Sequence, residues 1–246
     1  MRLLVLCVIL INIHSYVLPD GPMIGAGPTP DTIYNSDMKF THYWFDNHVH
    51  NWLTFVIPRM QKLHARSIPI RALEIGCYEG RATIWIYKHI TQFNEHSNVV
   101  CVDSFEDSQS VYEAGLFSPD VKDRWTHNIN AVGSEWGIMM MRHRSQIALR
   151  ILLGYHTVLF DLIYIDGSHK RDDVASDAEY AWRLLQVGGI MVFDDYGWTL
   201  APIGPDHPKQ AIDEFIETHA DSLQVLHKEY QVFIVKTRQW SIQDDL

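Results

Sequence analysis

The sequence predicts a doubly wound α/β fold: a seven-stranded, mostly parallel sheet with an antiparallel last strand and helices on both faces. Short apolar runs alternate with amphipathic stretches from residue 71 onward, the pattern of a sheet built from crossover units. The first run ends in a glycine-punctuated turn, Gly76 to Gly80, and opens a helical stretch. Three of the runs end on aspartate, at Asp103, Asp166 and Asp194, and the carboxyl ends of parallel strands are where such sheets bind ligands.

Taken in order, the chain begins with Arg2 and an apolar run over 3–11, interrupted by Asn12 and His14. Residues 1–18 read as a signal or targeting segment, too short for a stable membrane span. The region before Ser15 lacks the small-x-small cleavage pattern, and no Asn-x-Ser/Thr acceptor occurs, so a packed N-terminal strand or helix is the alternative reading. From Pro19 to Pro30 seven of twelve residues are Pro or Gly, a linker composition that extends the non-helical region to about 19–36. A single domain then spans 37–240, with a tail at 241–246. Its cap, 37–66, carries Trp44, Phe45, Val49, Trp52, Phe55, Val56, Met60 and Leu63 near helical spacing, broken or kinked at Pro58. Strands are predicted at 71–75, 99–103, 138–142, 162–166, 190–194, 223–225 and 231–236, and helices at 82–91, 146–153, 172–185 and 208–220. Right-handed crossovers place those helices on both faces.

At 246 residues with 47% apolar content, the chain can bury one sizeable core. The formal charge of −10 and the absence of any Lys/Arg run argue against a nucleic-acid partner. Cys7, Cys77 and Cys101 suggest neither a disulfide framework nor a zinc spacing, and Cys77 and Cys101 read as small buried hydrophobes.

The chemistry-bearing pattern starts at Glu74-Ile75-Gly76-Cys77-Tyr78-Glu79-Gly80. A dinucleotide fingerprint needs a glycine where Tyr78 stands, so the backbone cannot approach a pyrophosphate and a nicotinamide oxidoreductase is disfavoured. Asp103, at the next strand tip, can accept from both ribose hydroxyls of a nucleoside. Ser145, after the third strand, is either a helix N-cap or a ligand contact. Asp166, Asp194 and Asp195 converge on one sheet edge, where three carboxylates repel unless paired or holding a hard cation such as Mg²⁺. His169 follows in Asp166-Gly167-Ser168-His169 and is a candidate general base. His48 and His50 are two apart on a predicted helix and so do not share a face. His207 reads as a solvated loop residue, and Tyr196 and Trp198 as either core aromatics or a surface for a sugar face. Ser168 lacks the elbow pattern of a serine hydrolase.

Glu74-x-Gly76-x-x-x-Gly80 resembles the first motif of class I methyltransferases. Together with Phe40-Thr41 through Trp44-Phe45, Glu79-Gly80-Arg81, Asp166 to His169, Asp194-Asp195-Tyr196, Pro208 to Asp213 and Tyr230-Gln231-Val232, the chain resembles the methyltransferase 24 domain family over roughly 37–237. The resemblance implies a Rossmann-like sheet and S-adenosylmethionine as cofactor, held by Glu74, Gly76, Cys77, Tyr78, Gly80, Asp103, Ser104, Phe105, Ser145, Gln146 and Asp166. Related sugar O-methyltransferases imply Asp166, Asp194 and Asp195 as ligands of Mg²⁺ or another divalent cation; His169 departs from several of these. The implied reaction is O-methylation of a small-molecule or sugar hydroxyl, with His169, Asp166 and the cation acting on one acceptor. A catalytically silent cofactor-binding subunit is the alternative, and a homo-oligomer is compatible with either. The compartment is secretory if 1–18 is a signal peptide and cytoplasmic otherwise.

Overall fold

The apolar runs form strands β1 (Arg71–Ile75), β2 (Asn98–Val102), β3 (Ile138–Met141), β4 (Phe160–Ile165), β5 (Leu185–Phe193), β6 (Leu223–Lys228) and β7 (Val232–Lys236). They are seen in a computed structural model that describes residues 33–106, 120–133, 137–198 and 206–238. The targeting segment, the linker up to residue 32 and the tail lie outside the described residues. The sheet order is β3-β2-β1-β4-β5-β7-β6. All pairings are parallel except those of β7, which runs against both β5 and β6. The predicted sheet, with one reversed strand at the end of the chain, is the one observed.

A cap precedes β1: a 3₁₀ turn (Trp44–His48), a short helical piece (Val49–Asn51), a π turn (Trp52–Val56) and helix α1 (Ile57–His64). Pro58 sits in the first turn of α1, where its missing N–H costs little, and the break expected there takes the form of the π turn. The remaining helices are α2 (Arg81–Ile86, continued by a π turn to Thr91), α3 (Val121–Val132), α4 (Ser145–Gly154), α5 (Arg171–Leu184) and α6 (Pro208–Thr218). Helix α3 was not foreseen. Its signal is short but readable: Val121, Trp125, Ile129 and Val132 at helical spacing, then Gly133 as a left-handed C-cap.

Strand parity sorts the core into two layers. Ala72, Leu162 and Tyr164 face the cap, α2 and α3, whereas Leu73, Ile75, Ile163 and Ile165 face α4, α5 and α6. Trp52 and Trp85 fill the first layer and Trp182 the second, each fully buried. Each removes roughly 150–250 Å² from water, worth about 4–6 kcal/mol before entropy is counted. Lys236 is buried on β7, where its Nζ donates to the carbonyls of Trp182 (2.8 Å) and Leu185 (2.9 Å) and so caps the C-terminus of α5 from across the sheet. Burial pushes its pKa down to about 8. Among the described residues no helix is long and apolar enough to cross a membrane.

The two inner cysteines are not independent hydrophobes. Cys77, just past β1, and Cys101, on β2, are joined by a disulfide across Cα atoms 6.1 Å apart. Parallel register makes this so: Glu74 is opposite Cys101, and the turn brings Cys77 back over it. Sequence spacing alone could not show that return. The bridge closes a loop of 24 residues, worth roughly 3 kcal/mol by chain entropy. Thiol titration of the denatured chain should find two more thiols after reduction than before, and reduction should lower Tm by about 6–12 °C. An unchanged count would remove the bridge.

Candidate active site

Neighbouring β1 and β4 lead to opposite halves of the sheet, and their tips are laced together at this switch point, where Asp166 N–H donates to Ile75 O (2.8 Å); the tip of β5 is tied to β4 likewise, Asp194 N–H donating to Ile165 O (2.9 Å). Gly76 (φ +85°) is pressed so closely on β4 that a Cβ there would lie 1.9 Å from the Asp166 carbonyl oxygen. Gly80 (φ +84°) is the left-handed N-cap of α2. Tyr78, Phe105 and Asp195 also have positive φ, at 45°, 53° and 59°, a conformation kept in non-glycine residues only where the surroundings enforce it.

The turn does not point its N–H groups at open space. Asp103 Oδ2 accepts from Cys77 N–H (2.8 Å) and Tyr78 N–H (3.0 Å), and its Oδ1 accepts from Phe105 N–H (2.7 Å). The protein's own carboxylate therefore occupies the position a phosphate would take. Three of its roughly four acceptor positions are filled, so one remains on Oδ1, fewer than the two ribose contacts expected. Ser104 Oγ accepts from Glu106 N–H (3.1 Å), and the Phe105 ring lies 6.1 Å from Trp125. Glu74 is 1% exposed and accepts from the Thr83 hydroxyl. Burial, reinforced by the Asp103 charge and opposed by Thr83, pushes its pKa up to about 8.

Ser145 is not an N-cap. It is the first residue of α4, Arg144 holds the cap position, and no side chain caps the helix. Ser145 instead lies close enough to Asp177 to oppose the rise that burial gives that carboxyl, whose pKa goes up to about 7, and Gln146 Nε2 donates to Asp173 Oδ1 (3.3 Å). Acids of α5, invisible to a local reading of 144–146, claim both side chains.

At the β4 and β5 tips the three acids split. Asp194 is committed to the protein: its Oδ1 accepts from Asp195 N–H, and its Oδ2 from Gln231 Nε2 (3.1 Å) and from the Tyr164 hydroxyl. Gln231 is in turn held by Trp52 Nε1 (3.2 Å). Tyr164 also faces Asp166 Oδ2 (2.9 Å), yet a phenol has a single hydrogen to give. Burial raises the pKa of both Asp166 and Asp194, reinforced by the charges of Asp194 and Asp195 at Asp166 and by that of Asp195 at Asp194. Asp195, whose backbone is left-handed, takes different partners. Its Oδ2 lies 2.9 Å from His169 Nε2, and its Oδ1 accepts from the Tyr230 hydroxyl (3.2 Å). Ligand atoms of Asp166, His169 and Asp195 all lie within 4.8 Å of one another, so His169 replaces Asp194 in the set expected to converge. Burial lowers the His169 pKa, but Asp195 and Asp194 more than offset it and the net direction is up. Its Nδ1 has no hydrogen-bond partner among the described residues.

Other expectations change as well. His207 is buried, not solvated: its Nε2 donates to Trp198 O (2.8 Å) and its Nδ1 accepts from Lys209 N–H (3.1 Å), capping α6. Tyr196 is tied to Asp213 (3.0 Å) and Lys209, whereas the Trp198 ring lies 4.5 Å from that of His169. Sequence reasoning passed over Glu79 and Asn128, which strap the cap to the turn. Buried Glu79 accepts from Thr41 N–H (2.6 Å), the Thr41 hydroxyl (2.7 Å) and Arg124 Nε (2.6 Å); Asn128 bonds Lys39 N–H (2.6 Å) and the Glu79 carbonyl (2.9 Å). The strap carries Trp44 to Tyr78, with ring centroids 5.3 Å apart.

Comparison with solved structures finds this fold repeatedly. A putative O-methyltransferase from Klebsiella pneumoniae is similar at 16% identity and a TM-score of 0.58, over 88% of this chain and 93% of that one. The O-methyltransferase TomG from Streptomyces achromogenes, involved in tomaymycin synthesis and solved with S-adenosylmethionine, is similar at 17% and 0.54, over 74% and 79%. The MycE methyltransferase of the mycinamycin pathway, solved with Mg and S-adenosylhomocysteine, is similar at 15% and 0.52, over 89% of this chain but 55% of its own. No curated protein matches. The profile of a methyltransferase domain matches residues 73–196, half of the chain and every strand tip described above, and the chain belongs to that family, methyltransferase 24.

Proposed function

We propose that the protein is an S-adenosylmethionine-dependent O-methyltransferase acting on a hydroxyl of a small-molecule acceptor. The observation that carries the cofactor assignment is Asp103 seated on the N–H groups of the glycine turn. A carboxylate there repels a pyrophosphate and attracts a cationic cofactor. When bound, S-adenosylmethionine supplies a methyl group already activated by its sulfonium.

The chain's own contribution is removal of the acceptor proton. With His169 Nε2–H donated to Asp195, the tautomer is set, and Nδ1, buried and without a partner among the described residues, holds the lone pair that takes that proton once the acceptor is seated against it. Asp195 orients the ring and stabilises the imidazolium, and Trp198 packs beside it. The acceptor oxygen forms the new bond to carbon as the carbon–sulfur bond breaks, its proton remaining on His169.

One observation favours a second reading. Asp166 and Asp194 share one phenolic hydrogen with Asp195 alongside, more negative charge than the neighbouring donors compensate, and this suits Mg²⁺ held by Asp166, Asp195 and His169. A bound cation would lower the pKa of the acceptor hydroxyl. The two readings compete for His169 and Asp195 rather than cooperating. Titration calorimetry should find S-adenosylmethionine binding and no NADH binding; the reverse result would sink the cofactor assignment. In a methyl-transfer screen over phenols, sugars and small acids, turnover that survives chelator supports the histidine base, and turnover lost to chelator and restored by Mg²⁺ supports the cation.

The Cys77–Cys101 bridge supports an oxidising compartment, and with the apolar run over 3–11 it favours residues 1–18 as a secretory targeting segment.

A further inference from the structure

The cap carries aromatic surface that the fold does not use. Trp52, Trp85 and Trp182 are at most 1% exposed, whereas Trp44 is 47% exposed and Tyr230 36%. Burial would reward a tryptophan placed for folding alone. One face of Trp44 is stacked by His42, with centroids 4.1 Å apart. Tyr78 is 5.3 Å from Trp44 and 6.0 Å from His42; on the opposite face of Trp44 it would lie at nearly the sum of the two shorter separations from His42. Tyr78 is therefore beside the stack, and neither ring covers the far face of Trp44. Between Trp44 and His48, Phe45 packs against the ring of Tyr164 (6.1 Å), whose hydroxyl faces Asp166 and Asp194. His48 stacks on Tyr230 (4.5 Å), whose hydroxyl bonds Asp195. The 3₁₀ turn thus joins the Trp44–Tyr78 pair at one end to Tyr230, beside Asp195, at the other.

The hydroxyls of the two tyrosines are already engaged: Tyr78 Oη with His42 Nδ1 (3.3 Å), and Tyr230 Oη with Asp195. What they leave for a ligand is ring surface. A sugar must recover a hydrogen bond for each hydroxyl it buries, and engaged phenols offer few; a planar ring recovers its binding energy by stacking. We infer that the acceptor is a planar aromatic compound whose ring stacks in this cleft on Trp44 and presents its hydroxyl to the His169–Asp195 pair. The inference rests on the proposed methyl transfer for the reaction, but on the exposed rings alone for the acceptor class.

The test compares catechol with trans-cyclohexane-1,2-diol, which keeps two vicinal hydroxyls and lacks the π face, using the full chain with S-adenosylmethionine. Catechol should show a KM at least about ten-fold lower than the diol, and Trp44→Ala should erase that advantage while Trp44→Phe keeps most of it. An equal or lower KM for the diol, or an unchanged catechol KM in Trp44→Ala, overturns the inference. The affinity for S-adenosylmethionine, measured on the same variants, reports whether Trp44→Ala is folded. If the wild type binds no S-adenosylmethionine, the proposed reaction fails separately, and saturation-transfer NMR of catechol still decides the cleft. Binding weakened about ten-fold by Trp44→Ala supports it; no binding, or binding indifferent to Trp44, overturns it.

Discussion

His169→Ala is expected to lower kcat by about 10²–10⁴-fold while leaving the Kd for S-adenosylmethionine within a factor of two, because in the proposed reaction the side chain takes the acceptor proton, and it lies outside the cofactor turn. Asp195→Asn should show a smaller loss. The amide still reaches Nε2 but no longer fixes the tautomer that leaves a lone pair on Nδ1, and it withdraws the charge that stabilises the imidazolium. Single-turnover methyl transfer separates these effects from product release. If His169→Ala turned over at the wild-type rate, the base assignment would be lost; if its rate were rescued by Mg²⁺ alone, the cation reading would take its place.

Gly76→Ala should destabilise the fold by more than about 4 kcal/mol and abolish cofactor binding, measured by urea unfolding and calorimetry. Two costs coincide there: a φ of +85° that an alanine resists, and a Cβ 1.9 Å from the Asp166 backbone oxygen, an atom that cannot move without parting β1 from β4. Gly80→Ala is the control. It has nearly the same φ, but its Cβ would meet only side chains, the nearest Trp125 Cδ1 at 3.1 Å, and a cost of about 1 kcal/mol is expected. Equal losses at the two positions would show that conformational strain, rather than the close approach of the strand tips, explains the turn.

Much of this protein was legible in one dimension. Alternation of apolar runs with amphipathic stretches is a local signal, and it yielded the seven strands and four of the helices. Tyr78 in the glycine turn argued against a pyrophosphate, and aspartates at the strand ends marked the edge proposed as the site. What was missed depends on partners far along the chain. Cys77 meets Cys101 through the register of β1 on β2. Asp103 turns its carboxylate onto the N–H groups of Cys77 and Tyr78; Ser145 and Gln146 answer to acids of α5.

The same distinction decides the site. Asp194 and Asp195 are adjacent in sequence, and no local rule separates them. The sheet does: Asp194 faces Tyr164 and Gln231, while Asp195, at φ 59°, turns to His169 and Tyr230. Sequence by itself determined the fold class, the family and the residue types gathered at one edge, because period and spacing are properties of neighbours. Which carboxylate is committed to the core, and which is left to hold a histidine, only the tertiary structure decided, because hydrogen-bond partners there come from strands and a cap separated by as many as 179 residues.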